Sequence, residues 1–173
     1  MIASNEEFNK DAKLWEDYLL SWTDSQQALM RLFHGLDDRI EFMRDQFAEN
    51  RHHPILWDMM MILPSGELLE LLDIIVAYAA HPSWGFADKV ANVVRRIPES
   101  KLNENLWELT QPYLDEDHPD ADERIWGLLS LYSEIDLQLT AKLAQHAADT
   151  NNKDMVEAGE AWLARLKNDT PVV

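Results

Sequence analysis

Apolar residues in this chain recur at helical spacing, and nowhere do they alternate as a strand requires. The clearest case is Leu68, Leu71, Leu72, Ile75 and Tyr78, at i, i+3, i+4, i+7 and i+10. One face of an α-helix buries such a stripe. Leu69, Ile74 and Val76 lie off it, so this segment is expected to be covered on more than one side. Only five glycines occur, and Gly35, Gly66 and Gly85 fall near expected boundaries. The pattern predicts an all-α fold of about nine or ten helices, most about 10–16 residues long, with short connections. A chain of 173 residues suits one domain with one sizeable core.

Individual elements follow from stripes and end signals. Helices are expected over Glu6–Trp22, with Phe8, Leu14 or Trp15, Tyr18 and Trp22 toward the core, and then over Ser25–Phe33, Asp37–Glu49 and Pro54–Leu63. Ser65 and Ser100 are expected to cap the next two starts, and Asp136 and Asn151 or Asn152 the last two. Pro112 should bend or shorten the helix that begins near Ser100. Met59-Met60-Met61 reads as core. So do Trp15, Trp22 and Trp162.

The second half repeats. Three helix pairs superpose, Glu67–Ile97, Leu102–Ile135 and Leu137–Leu166, with junctions at His81-Pro82, His118-Pro119 and Thr150-Asn151. Val90 to Ile125 is 35 residues, and Ile125 to Val156 is 31. The segment Pro119-Asp120-Ala121-Asp122-Glu123-Arg124 resembles the inter-helix turn of HEAT repeats, and Pro112 resembles that family's kinking proline. The first junction has Lys89 in place of arginine, and the third lacks both proline and arginine. The resemblance covers roughly residues 67–167. It implies a right-handed array of antiparallel helix pairs, a HEAT-like α-solenoid, whose long faces bind proteins. The expected organisation is a single helical domain, 1–173. Residues 1–66 supply N-terminal helices, a cap or more repeat; 67–167 form the three pairs; 168–173 are a tail.

Charge narrows the partners. The chain carries a formal −17. Between Glu99 and Glu123 it has nine carboxylates against one cation, Lys101. Such a surface repels phosphates, so nucleic acid and anionic membranes are disfavoured as ligands. The even spread of acid elsewhere is also what a merely soluble acidic protein shows. Glu104, Glu108, Gln111 and Asp115 form a stripe roughly 200–240° from the apolar stripe of Leu102, Leu106, Leu109 and Tyr113, at ~100° per residue, and should face solvent. There is no cysteine, so disulfides and thiolate chemistry are excluded. The first residues lack a basic and apolar leader, and the longest apolar run, Ile74–Ala80, is far short of a membrane span. A cytoplasmic protein is expected.

No catalytic motif emerges. Phosphate-cradling glycine loops, nucleophile elbows and zinc helices are absent from the sequence. The spacings Glu49 to His52 and Asp115 to His118 match ligand pairs of carboxylate-bridged bundles, but Pro54 and Pro119 put both at helix ends. Counted from Asp115, positions six and twelve hold Asp120 and Trp126, where a calcium loop needs glycine and glutamate. No metal, cofactor or catalytic residue is expected.

Size, acidity and helical-repeat character are together similar to bacterial immunity proteins that neutralise toxins, including those of contact-dependent growth inhibition. That resemblance implies a non-enzymatic inhibitor, a monomer or half of a 1:1 heterodimer, that covers the active site of a basic toxin, chiefly a nuclease. The residues expected to face it are Glu104, Glu108, Asp115, Glu116, Asp117, Asp120, Asp122 and Glu123, with Trp84 and Trp107 as apolar anchors. Trp107 can equally pack between adjacent repeats. The competing readings are a HEAT-like scaffold or adaptor for a cellular partner, and a carboxylate-dependent hydrolase.

Overall fold

The computed structural model describes the backbone of residues 5–49, 54–82 and 85–169, and the side chains of all of these except 5–12, 14, 18, 103, 104 and 169. Phe8, Leu14, Tyr18 and His52 therefore lie outside the described residues as side chains. The fold is all-α: among the described residues there is no strand. The helices are α1 (Asn5–Gly35), α2 (Arg39–Glu49), α3 (Pro54–Met60), α4 (Ser65–Glu70), α5 (Leu72–Ala79), α6 (Ala87–Val94), α7 (Glu99–Thr110), α8 (Ala121–Ser133), α9 (Leu137–Ala148) and α10 (Lys153–Asp169). A 3-10 turn, Gln111–Tyr113, extends α7 at Pro112, as proline in a last turn requires. No helix among the described residues is long and apolar enough to cross a membrane.

The chain divides into two compact units at Phe42 and Met43. The first holds α1 and the start of α2. Its α1 is one helix of 31 residues, not the two expected on either side of Thr23-Asp24-Ser25. The Thr23 hydroxyl donates to the Leu19 carbonyl at 2.8 Å, so a residue that reads as a stop bonds back into its own helix. Leu29 and Phe33 are buried, whereas Trp15 and Trp22 are 62% and 55% exposed. Both tryptophans were expected in the core. Only residues 36–42 follow α1 within this unit, and among the described residues they give its N-terminal half no cover.

The second unit carries the large core. Pro64 and Pro98 occupy the cap positions of α4 and α7 in extended conformation, without a side-chain cap bond. Helix α4 therefore starts one residue earlier, and α7 two residues earlier, than a serine cap predicts. Asp136 and Asn152 do cap: the Asp136 carboxylate accepts the amides of Gln138 and Leu139 at 2.6 and 3.0 Å, and Asn152 Oδ1 accepts those of Asp154 and Met155 at 3.0 and 3.1 Å. The helix expected to carry the stripe from Leu68 to Tyr78 breaks at Leu71 (φ −105°, ψ 12°), whose side chain is fully buried.

Beneath α2, α3, α5 and α6 lies an aromatic cluster. Trp57 meets Phe47 and Tyr78 edge-on at 5.6 and 5.1 Å and stacks on Phe86 at 5.8 Å. Met59 and Met60 are buried here, while Met61 is exposed. Arg96, just past the end of α6, donates to the carbonyls of Met60 and Leu63 at 2.9 and 2.8 Å, which finish α3 before Pro64. Helix α5 packs against α6, α7 and α8; α6 also meets α8; and α8 meets α9 and α10, which pack most extensively on each other. Two of these crossings depend on glycine. A Cβ on Gly127 in α8 would lie 1.8 Å from the Ala79 carbonyl oxygen, and one on Gly159 in α10 would lie 2.5 Å from that of Ala144.

Candidate protein-docking face

The three sequence junctions are neighbours in space. The His81 ring meets Tyr113, at the end of the α7 extension, edge-on at 6.0 Å. Farther along, Glu116 accepts the Asn151 amide at 2.7 Å through Oε2, and its own carbonyl accepts from Asn152 Nδ2 at 2.7 Å. The connection after α5 thus touches the one after α7, which touches the one after α9. His81, Tyr113, Glu116 and Asn152 are half-buried and Asn151 is exposed, and through them the middle connection is held from both sides.

Within that middle connection, Asp115 Oδ1 accepts the Asp117 amide at 3.1 Å, a turn that aspartate favours. The only arginine nearby in sequence points inward. Arg124 Nη2 lies 2.8 Å from His118 Nε2, and its guanidinium carbon is 5.9 Å from the Tyr113 ring centre. A guanidinium only donates, so His118 must offer Nε2 as a lone pair and carry its proton on Nδ1. The Asp120 amide, 3.1 Å from Nδ1, is then left without that acceptor. The Arg124 Nε is buried with no hydrogen-bond partner among the described residues. Burial, the charge of Asp73 and, opposing them, Arg124 together raise the Tyr113 hydroxyl pKa above its ordinary value.

The consequence for the carboxylates is direct. Glu108, Asp115, Asp117, Asp120 and Glu123 are exposed, and Glu116 and Asp122 are half-buried. Among the described residues none of these seven makes an ion pair with lysine or arginine; the nearest approach is Asp120 Oδ2 to His118 Nδ1 at 3.9 Å. Glu116 works as a structural acceptor, as above. Glu104 lies in α7, and its side chain is outside the described residues. Nor do three or more potential ligands among the described residues converge to hold a metal.

The two expected anchors differ in fate. Trp84 lies outside the described residues. Trp107 is half-buried, with the Lys142 ammonium 4.1 Å from its ring centre and His146 edge-on at 5.8 Å. Both neighbours belong to α9, so Trp107 joins adjacent helix pairs. An exposed tryptophan beside carboxylates does exist, at Trp126, 43% exposed. It follows Asp122 by four residues and Glu123 by three, so both stand one turn below it on α8. The signal was present in the sequence: Trp126 is about 100° off the stripe led by Ile125 and carries two acids on its own face. Neither family models, nor curated proteins, nor solved structures match this chain.

Proposed function

We propose that this chain is a non-enzymatic inhibitor, an immunity protein that covers the active site of a basic toxin, a nuclease, with the acidic face built on the middle junction. It acts in the cytoplasm, as a monomer that forms a 1:1 complex, through a HEAT-like right-handed array of antiparallel helix pairs. The order of helix contacts and the side-by-side junctions support the array. One observation carries the function. The carboxylates of the middle junction have no lysine or arginine partner among the described residues, while the junction itself is braced on both sides. Fixed, unneutralised carboxylates can take the places of substrate phosphates, and they speed encounter with a cationic protein.

The test is co-expression with basic nuclease toxin domains, beginning with any encoded beside this chain. One is expected to co-purify in equal amount and lose its nuclease activity. Replacing Asp117 and Asp120 together by lysine is expected to slow association by about tenfold and to flatten its salt dependence. A double reversal that leaves affinity and protection as they were removes the acidic face from the account.

A further inference from the structure

Trp126 stands at the edge of a cleft of about 240 Å³ between the end of α5, α6 and α8. Its floor is apolar: Tyr78, Val90 and Leu131 are each at most 5% exposed. The missing Cβ of Gly127 lets α8 seat directly on the α5 backbone, and this sets the cleft's depth. Asp88 lies on the α6 rim, exposed. On the far rim Glu134 is already held by Arg95, at 2.7 Å. The unneutralised charge therefore belongs to Asp88 on one side, and to Asp122 and Glu123 below Trp126 on the other. None of these three pairs with a cation among the described residues.

Small-molecule sites are ordinarily larger, about 300 Å³ and up, so this volume suits one or two side chains. An apolar floor, an exposed indole at the lip and carboxylates on the rim together fit a side chain with an aliphatic stem and a cationic head. Arginine fits better than lysine, because its planar guanidinium also stacks on an aromatic face. We propose that this cleft receives an arginine side chain of the basic partner, its stem on Tyr78, Val90 and Leu131 and its guanidinium over Trp126 toward Asp88. The inference rests on the docking reading above for the partner's charge, and it adds the anchor that Trp107 does not provide.

The probe is an acetylated, amidated hexa-arginine peptide, titrated at low salt into the full chain. Binding is read by calorimetry and by the Trp126 indole N–H resonance. The peptide is expected to shift that resonance. Trp126→Ala, which leaves the net charge unchanged, and Asp88→Asn are each expected to weaken binding about fivefold, and hexa-lysine should bind more weakly than hexa-arginine. Asp117→Asn with Asp120→Asn serves as the second arm. Loss confined to the junction variants overturns the cleft and leaves the acidic face standing. Loss confined to the cleft variants supports the cleft and counts against the junction. No shift of the Trp126 resonance, or unchanged affinity in both cleft variants, overturns the arginine site.

Discussion

The first and second junctions open with the same dipeptide, His-Pro, and are held in opposite ways. After α5, His81 Nδ1–H donates to the Ala77 carbonyl at 2.7 Å, closing the helix that precedes it. The cation that follows, Lys89, leaves the junction altogether and pairs with Asp58 of α3 at 2.7 Å. After α7, His118 instead accepts, and the following cation, Arg124, folds back onto it and onto Tyr113. Arg124 is thereby engaged by neutral partners, its Nε left unbonded among the described residues, and leaves the neighbouring carboxylates alone. An anionic surface therefore needs more than acids in the sequence. It also needs its local cation to be engaged elsewhere, and the second junction achieves this within itself.

The largest effect is expected at Gly127, the seat of the first junction on α8. A Cβ there meets the Ala79 carbonyl oxygen at 1.8 Å and Pro82 Cδ at 3.0 Å, and backbone cannot yield as a flexible side chain does. Gly127→Ala is expected to cost at least about 3 kcal/mol, seen as a lower urea midpoint with an unchanged slope. A loss below about 1 kcal/mol would mean that the two helices separate easily at this point.

Next in size is a pH effect carried by the second pair. Seven residues after Ile125 comes Tyr132, and seven after Val90 comes Ile97, both buried. Burial pushes the Tyr132 hydroxyl up to about 12, against the opposing hydrogen bond with Thr110 at 2.9 Å. The folded value lies above the unfolded value of about 10, so this contribution is complete below pH ~10. It is lost as pH rises through ~12, up to roughly 2.7 kcal/mol at ~1.4 kcal/mol per unit. Alkaline unfolding followed by circular dichroism should steepen in that window, and Tyr132→Phe should flatten it. An unchanged profile in the variant would place the sensitivity elsewhere.

The smallest effects belong to the two cations. Arg124→Ala removes a charged donor from His118 and should cost about 2 kcal/mol. Lys89→Ala removes a half-exposed ion pair and should cost no more than about 0.5 kcal/mol. Equal costs in thermal melts would show that the two cations are used alike after all.

What the sequence made legible was local. Helical spacing depends on a few neighbouring residues, so the fold class could be read off, and Asp136 and Asn152 could be identified as caps because their side chains act within their own turn. Ser65 and Ser100 do not cap, because a proline one or two residues earlier occupies the cap position and starts the helix sooner. The break at Leu71 has no turn residue to announce it; a fully buried leucine there answers to the packing around it. Tertiary cover was likewise hidden. The stripe on α1 gives no sign that Trp15 and Trp22 would be exposed while Leu29 and Phe33 were buried. The acidic face was visible as a run of charge, but the inward turn of Arg124 that leaves it unneutralised depends on the placement of Tyr113 and His118. Trp126 is legible from its spacing to Asp122 and Glu123, which places the ring and the two acids on one face of α8.

Arg96 reaches back 36 and 33 residues to the carbonyls of Met60 and Leu63. The end of α3 is thus closed by a group that leaves the ribosome well after it. During synthesis those carbonyls must stay hydrated until α6 emerges, and only then can the methionine segment seal. The order of emergence along the chain is therefore not the order of completion: α3 begins early and is finished by its successor.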